Sequence, residues 1–175
     1  IILALRACGI RDGDEVITTP YTAYATISAI ISAGGVPIFV DVCEDSYLID
    51  LDKVLSAIGP KTKAVVPVHL FGNVVDIERL RTIVGRNIFI IEDASQAHGS
   101  LMNKRKSGSF GDIGCFSFYP TKNLGGYGDG GAIITSNKNL YDKIKLMRMY
   151  GMRDKDSVEI HGINSRLDEI QAAIL

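Results

Sequence analysis

The stretch Ile88-Phe89-Ile90-Ile91-Glu92-Asp93 decides the fold. Four apolar residues followed by two carboxylates do not suit a strand with one wet face, which alternates apolar and polar side chains. The stretch reads as a strand covered on both faces that delivers charge at its carboxyl end. Val16-Ile17-Thr18-Thr19, Pro37-Ile38-Phe39-Val40-Asp41-Val42 and Ala64-Val65-Val66-Pro67-Val68-His69 share the pattern. Helical patterns separate them, at Thr22 to Ala33, Leu51 to Ile58 and Asp76 to Val84. Apolar runs alternating with helices indicate βαβ units, hence an α/β fold whose mostly parallel sheet carries helices on both faces. Two further runs, Gly114-Cys115-Phe116-Ser117-Phe118-Tyr119 and Ala132-Ile133-Ile134-Thr135, precede a helical pattern from about Asn139 to Tyr150.

The composition agrees. With 46% hydrophobic and 22% charged residues, 175 residues can bury a substantial core. A formal net charge of -1 gives no global electrostatic case for nucleic acid or an anionic membrane, so any anion must be gripped locally. Cys8, Cys43 and Cys115 are odd in number and sit in apolar contexts, which suits buried thiols in a reducing compartment such as the cytoplasm and does not suggest a metal site. Both ends, Ile1-Ile2-Leu3-Ala4-Leu5-Arg6-Ala7 and Ser165 to Leu175, read as helix, so the chain is expected to be a segment cut from a longer protein.

In open α/β sheets ligands bind beyond the carboxyl ends of the strands, which draws attention to Asp41, His69, Asp93 and Ser117. Any one of them alone could be a hydrogen-bonded strand-end residue. Asp93 follows four apolar residues and asks for a cationic partner, such as a protonated pyridine nitrogen; capping of the next turn is the alternative. Lys122, in Tyr119-Pro120-Thr121-Lys122-Asn123-Leu124-Gly125, lies between proline and glycine constraints at the end of a buried strand. An amine held there away from bulk water is a nucleophile for carbonyls and suits Schiff-base chemistry. Gly126, Gly128 and Gly131 match G-x-G-x-x-G, yet a β-branched run follows them where a dinucleotide fingerprint needs a helix. These glycines are expected instead to let backbone pass close to a ligand or to turn at positive φ.

Taken in order, these residues resemble a known family. Gly13-Asp14-Glu15-Val16-Ile17, Val68-His69-Leu70-Phe71-Gly72, Glu92-Asp93-Ala94-Ser95-Gln96-Ala97-His98-Gly99, Phe116 through Gly125, Gly128-Asp129-Gly130-Gly131 and Gly162 through Leu175 follow the motif order of the DegT-type, pyridoxal-phosphate-dependent nucleotide-sugar aminotransferases, of fold type I. The resemblance implies a three-layer α/β/α large domain over residues 1–175. The N-terminal phosphate-cradle segment and the C-terminal small domain would lie outside it, and the segment alone is expected to bind cofactor poorly and lack activity. It implies that Lys122 bonds covalently to pyridoxal 5'-phosphate and then serves as general base. Asp93 would pair with the pyridine nitrogen, Gln96 would lie against the ring hydroxyl and Ser117 would hold the phosphate. Asn164 would reach the neighbouring subunit's phosphate, so that a homodimer shares its sites.

The implied reaction aminates a keto-sugar nucleotide from an amino-acid donor, glutamate by resemblance, to make an amino sugar for glycan or secondary-metabolite biosynthesis. No nucleic acid or membrane partner is implied. One departure stands out: Ala23 occupies the position where the family places an aromatic ring over the cofactor, leaving Tyr24 or Tyr21 as substitutes. His69 and His98 are expected to be hydrogen-bonded supporting residues. A sugar dehydratase of the same family typically replaces the lysine, so Lys122 argues against that alternative. A non-catalytic regulatory member is the other, and Lys122, Asp93, Gln96 and Ser117 together speak against it.

Overall fold

The computed structural model describes residues 1–175. Its strands are β1 (Glu15–Thr18), β2 (Val36–Phe39), β3 (Thr62–Val65), β4 (Phe89–Asp93), β5 (Leu101–Met102), β6 (Arg105–Lys106), β7 (Ile113–Ser117) and β8 (Gly131–Ile134). The helices are α1 (Ile2–Ala7), α2 (Tyr24–Ser32), α3 (Leu51–Ala57), α4 (Ile77–Val84), α5 (Lys138–Met147) and α6 (Glu169–Ile174). Six strands form one sheet in the order β2-β1-β3-β4-β7-β8, parallel except for β8, which runs antiparallel to β7. β5 and β6 make a small separate hairpin. No helix is long and apolar enough to cross a membrane.

Alternation along each strand explains why the runs are apolar throughout. Val16, Ala64, Ile91 and Ile113 point to one face, where they pack with Leu5 of α1, Ile30 of α2 and Leu140 and Ile144 of α5. Ile17, Val65 and Ile90 point to the other, against Leu51 and Val54 of α3 and Ile77, Leu80 and Val84 of α4. A sheet buried on both sides leaves no strand position for a polar residue until the strand ends. At the end of β4 the same alternation sends Glu92 toward the α3/α4 layer and Asp93 toward the α2 layer. The thiols are free, and burial pushes Cys8 up to about 12 and raises Cys115 as well, which keeps both protonated.

Helix starts follow the side chains available. Asp76 accepts the Arg79 N–H at 2.9 Å and opens α4; Asn137 accepts the Asn139 and Leu140 N–H groups and opens α5. Removing the cap with Asp76→Ala is expected to cost about 1 kcal/mol, read as a lower urea midpoint at unchanged slope. The last helical pattern was expected from Ser165, but residues 163–165 instead pair with the end of α5 through Ile163 N–H to Met147, Tyr150 N–H to Ile163 and Ser165 N–H to Arg148. Tyr150, at φ 60°, and Gly151, at φ 79°, turn the chain left-handed and end α5 earlier than the pattern suggested.

Candidate active site

A cavity of about 340 Å³ opens at the carboxyl ends of β1, β3, β4 and β7. The strand order reverses between β1 and β3, the kind of crevice in which α/β sheets hold ligands. Asp93, Gln96, Ser117 and Lys122, four of the five residues expected at the site, all line it. Thr22, Ala23 and Thr26 form one wall, and Tyr119, Asp129 and Gly130 another. Asn164 is not among them. It lines an adjoining cavity of about 900 Å³ that shares Ser95, Ser117 and Asp129 with the first, and its Oδ1 accepts the Arg166 Nε–H at 2.8 Å.

Asp93 is 4% exposed. Its Oδ2 accepts the Thr26 hydroxyl at 2.7 Å and its Oδ1 the Ser95 N–H at 3.2 Å. Both donors are neutral, and none of the molecule's ion pairs includes Asp93. The turn-capping alternative is realised in the Ser95 bond, yet a buried carboxylate with only neutral partners still has a strong preference for a cation. Thr26, one turn into α2, went unnoticed in the sequence because its partner lies 67 residues away.

Gln96 is oriented by its backbone neighbour across the loop. Its Oε1 accepts the Phe71 N–H at 2.7 Å, which leaves the Nε2 group as the donor for the cavity. Ser117 Oγ accepts the Tyr119 N–H at 3.2 Å, so its hydroxyl hydrogen is available to an acceptor. Lys122 is half-buried, and its Nζ makes no hydrogen bond or ion pair. An amine, a carboxylate, an amide and a hydroxyl therefore converge on one concave space. That donor set fits pyridoxal phosphate: a nucleophile for the carbonyl, an anion for the ring nitrogen and donors for the hydroxyl and phosphate oxygens.

Behind the cavity, Glu92 is fully buried and accepts four hydrogen bonds. The donors are His69 Nε2 at 2.8 Å and the N–H groups of Gly108 (2.8 Å), Phe110 (2.7 Å) and Gly111 (2.5 Å). Val75 N–H points at His69 Nδ1 at 3.1 Å, so the ring is the neutral tautomer with its proton on Nε2. Burial pushes the Glu92 carboxyl up, but the bonds from His69, Gly111 and Gly108 outweigh it and hold the pKa below the usual value. His69 is thus the supporting residue expected.

His98 is not a hydrogen-bonded supporting residue, contrary to expectation. Both ring nitrogens are buried without a hydrogen-bond partner, because the ring sits between Phe116 and Phe118 at 5.4 and 6.0 Å. Burial is the largest influence and lowers its pKa, the Ser117 backbone opposes this, and the nearby Lys122 charge lowers it further. Neither tyrosine takes the place of an aromatic ring at Ala23. Ala23 itself lines the cavity, whereas Tyr21 packs on Tyr47 at 5.5 Å and Tyr24 is 74% exposed. Of the two roles expected for the glycine-rich stretch, turning at positive φ is absent, since none of Gly125, Gly126, Gly128, Gly130 or Gly131 lies in the left-handed region, while Gly130 lines the cavity. Steric room, not φ, selects at least two of them: a Cβ at Gly125 would stand 2.7 Å from Pro120 O and one at Gly131 2.6 Å from Phe116 O.

The profile of the DegT/DnrJ/EryC1/StrS aminotransferase family matches residues 1–175, the whole chain. The chain belongs to this family. Among curated relatives, it is 47% identical over 176 residues to the "Pleiotropic regulatory protein" of Geobacillus stearothermophilus. It is 46% identical over 175 residues to the dTDP-3-amino-3,4,6-trideoxy-alpha-D-glucose transaminase of Micromonospora megalomicea subsp. nigra. It covers 100% and 99% of itself in these alignments and 47% of each relative, so the chain spans about half the length of the curated relatives it matches. Among solved structures, S. venezuelae DesV in complex with a ketimine intermediate superposes with a TM-score of 0.95 at 45% identity, over 99% of this chain and 47% of that one. NtdA from Bacillus subtilis with bound cofactor PMP superposes with a TM-score of 0.92 at 40% identity, over 99% and 40% of the two chains. The DegT/DnrJ/EryC1/StrS fold is therefore the three-layer, mostly parallel arrangement read from the apolar runs.

Proposed function

We propose that this chain is the large cofactor-binding domain of a pyridoxal-phosphate-dependent aminotransferase that moves an amino group from an amino acid, glutamate being the favoured donor, to the keto group of a nucleotide-linked sugar. The observation that carries the reading is the convergence of Lys122, Asp93, Gln96 and Ser117 on one cavity at the strand ends. When bound, pyridoxal phosphate supplies an electron sink that stabilises negative charge on the carbon bearing the transferred amine. The chain's own residues supply the rest. Lys122 is the covalent anchor and, once free, the base that moves a proton at that carbon. Asp93, steadied by the Thr26 hydroxyl, presents the anion that keeps the ring nitrogen protonated. Gln96 Nε2 would donate to the ring hydroxyl and Ser117 Oγ to the phosphate.

Asn164 is assigned to the site of a second subunit in a homodimer, a reading supported by its place outside the Lys122 cavity of its own chain. One relative carries a regulatory name, but an amine and a buried carboxylate facing one cavity favour chemistry over ligand sensing. The test uses the intact protein. Pyridoxal phosphate should give a visible absorbance band at one equivalent per chain, and glutamate with a keto-sugar nucleotide should yield 2-oxoglutarate and the amino sugar. A wild-type protein that develops no band would sink the proposal.

A further inference from the structure

The glycine-rich stretch lends Gly130 to the wall of the cavity, and its shape is set from 44 residues downstream. A Cβ at Gly126 would stand 2.8 Å from Gln171 Oε1, one at Gly128 3.3 Å from Gln171 Nε2, and one at Gly130 2.8 Å from Leu167 Cδ1. The same Gln171 Oε1 accepts the Tyr127 N–H at 2.7 Å. The side chain of Gln171 therefore lies along the loop, and the glycines give it the room to do so.

The glycine-rich stretch is the second half of a loop, residues 118–130, that carries Lys122. Its base is closed by Phe118 N–H to Gly130 and Gly126 N–H to Phe118, both 2.8 Å, and Lys122 N–H bonds to Tyr119 at 2.8 Å inside it. The Tyr127–Gln171 bond is the one hydrogen bond that reaches residues 119–129 from outside residues 117–130. Lys122 Nζ has no partner of its own, so the backbone of the loop alone places the amine. Gln171 is in turn well anchored. Its N–H caps onto Asp168 at 2.8 Å, and the strap before it is tied to α5, which packs in the core through Leu140 and Ile144.

We propose that Gln171 is a positioning residue for Lys122: its amide oxygen fastens the 125–130 loop and so holds the amine at the cavity. The role rests on the reading of Lys122 as the reactive amine. In the intact protein without cofactor, Gln171→Ala should speed hydrogen exchange at the Tyr127 amide by about tenfold or more, whereas Gln171→Glu, which keeps an acceptor oxygen, should stay close to wild type. The pyridoxal phosphate dissociation constant, read from the Lys122-dependent band, should rise about tenfold in Gln171→Ala, the weight of one net hydrogen bond, and little in Gln171→Glu. Gly126→Ala, which crowds the same oxygen, should mimic Gln171→Ala, and the double variant should be no weaker than either single one. Unchanged exchange at Tyr127, or an unchanged dissociation constant beside a normal wild-type band, overturns the positioning role alone. A wild type with no band removes the Lys122 reading and this role with it.

Discussion

Lys122→Ala is expected to lower the transamination rate by on the order of 10⁴-fold, about 5.5 kcal/mol of barrier, while leaving the folding midpoint where it is. The two halves of that expectation have separate physical grounds. Loss of the amine removes both the covalent anchor and the proton carrier, and no other lysine lines the cavity to replace it. Stability is spared because the side chain is half-buried and its Nζ takes part in no ion pair, so truncation strands no buried partner. Lys122→Arg should be as inactive as the alanine variant, since a guanidinium keeps its proton and does not attack a carbonyl. Steady-state rates with and without a small exogenous amine would check the assignment: partial rescue of Lys122→Ala by the amine is expected, and a variant retaining a tenth of wild-type activity would refute it.

Glu92→Ala should do the opposite, unfolding the protein more than it slows an already folded one. Four donors, three of them backbone N–H groups from residues 108–111, lose their common acceptor in a fully buried place. Each buried donor left without an acceptor costs about 1–3 kcal/mol, so stranding several at once removes a large share of the stability of a typical domain. Glu92→Gln should cost about 2 kcal/mol, because an amide keeps one oxygen but turns its NH₂ toward donors on the other side. Denaturant midpoints of the three proteins measure both. The pH dependence follows from the sign of the shift. The folded carboxyl titrates below the unfolded value near 4.5, so its contribution is complete above that pH and is lost as the pH falls through the lower folded value. Wild type should therefore lose stability on acidification below about pH 4.5 more steeply than Glu92→Gln.

The four inner strands of the sheet were legible because burial on both faces writes itself as an apolar run, with the polar residue that ends the run marking the cavity side. Asp93, Ser117 and Lys122 drew notice for the same local reason, and Gln96 and Asn164 only through family likeness. What could not be read was whatever depends on partners distant in sequence. Thr26 on Asp93, His69 on Glu92 and Gln171 on Tyr127 are separated by 67, 23 and 44 residues, and no periodicity links such pairs. Part of the glycine-rich loop was hidden for the same cause: the room at Gly126 and Gly128 is taken by the side chain of Gln171, which the local pattern does not contain. The β5–β6 hairpin, two residues to a strand, is too short to show alternation.

The β2 edge of the sheet bears on how copies of the molecule keep apart. Val36 and Val40 donate their N–H groups inward, to Asp14 and Thr18, so alternation along the strand turns the backbone of residues 37 and 39 outward, and the first of these is Pro37. Proline has no N–H to offer a newcomer strand, so the margin that exposes Val36 at 45% and Phe39 at 49% lacks one of the donors that cross-β growth needs. The missing donor makes this apolar border a poorer template for the addition of a further strand.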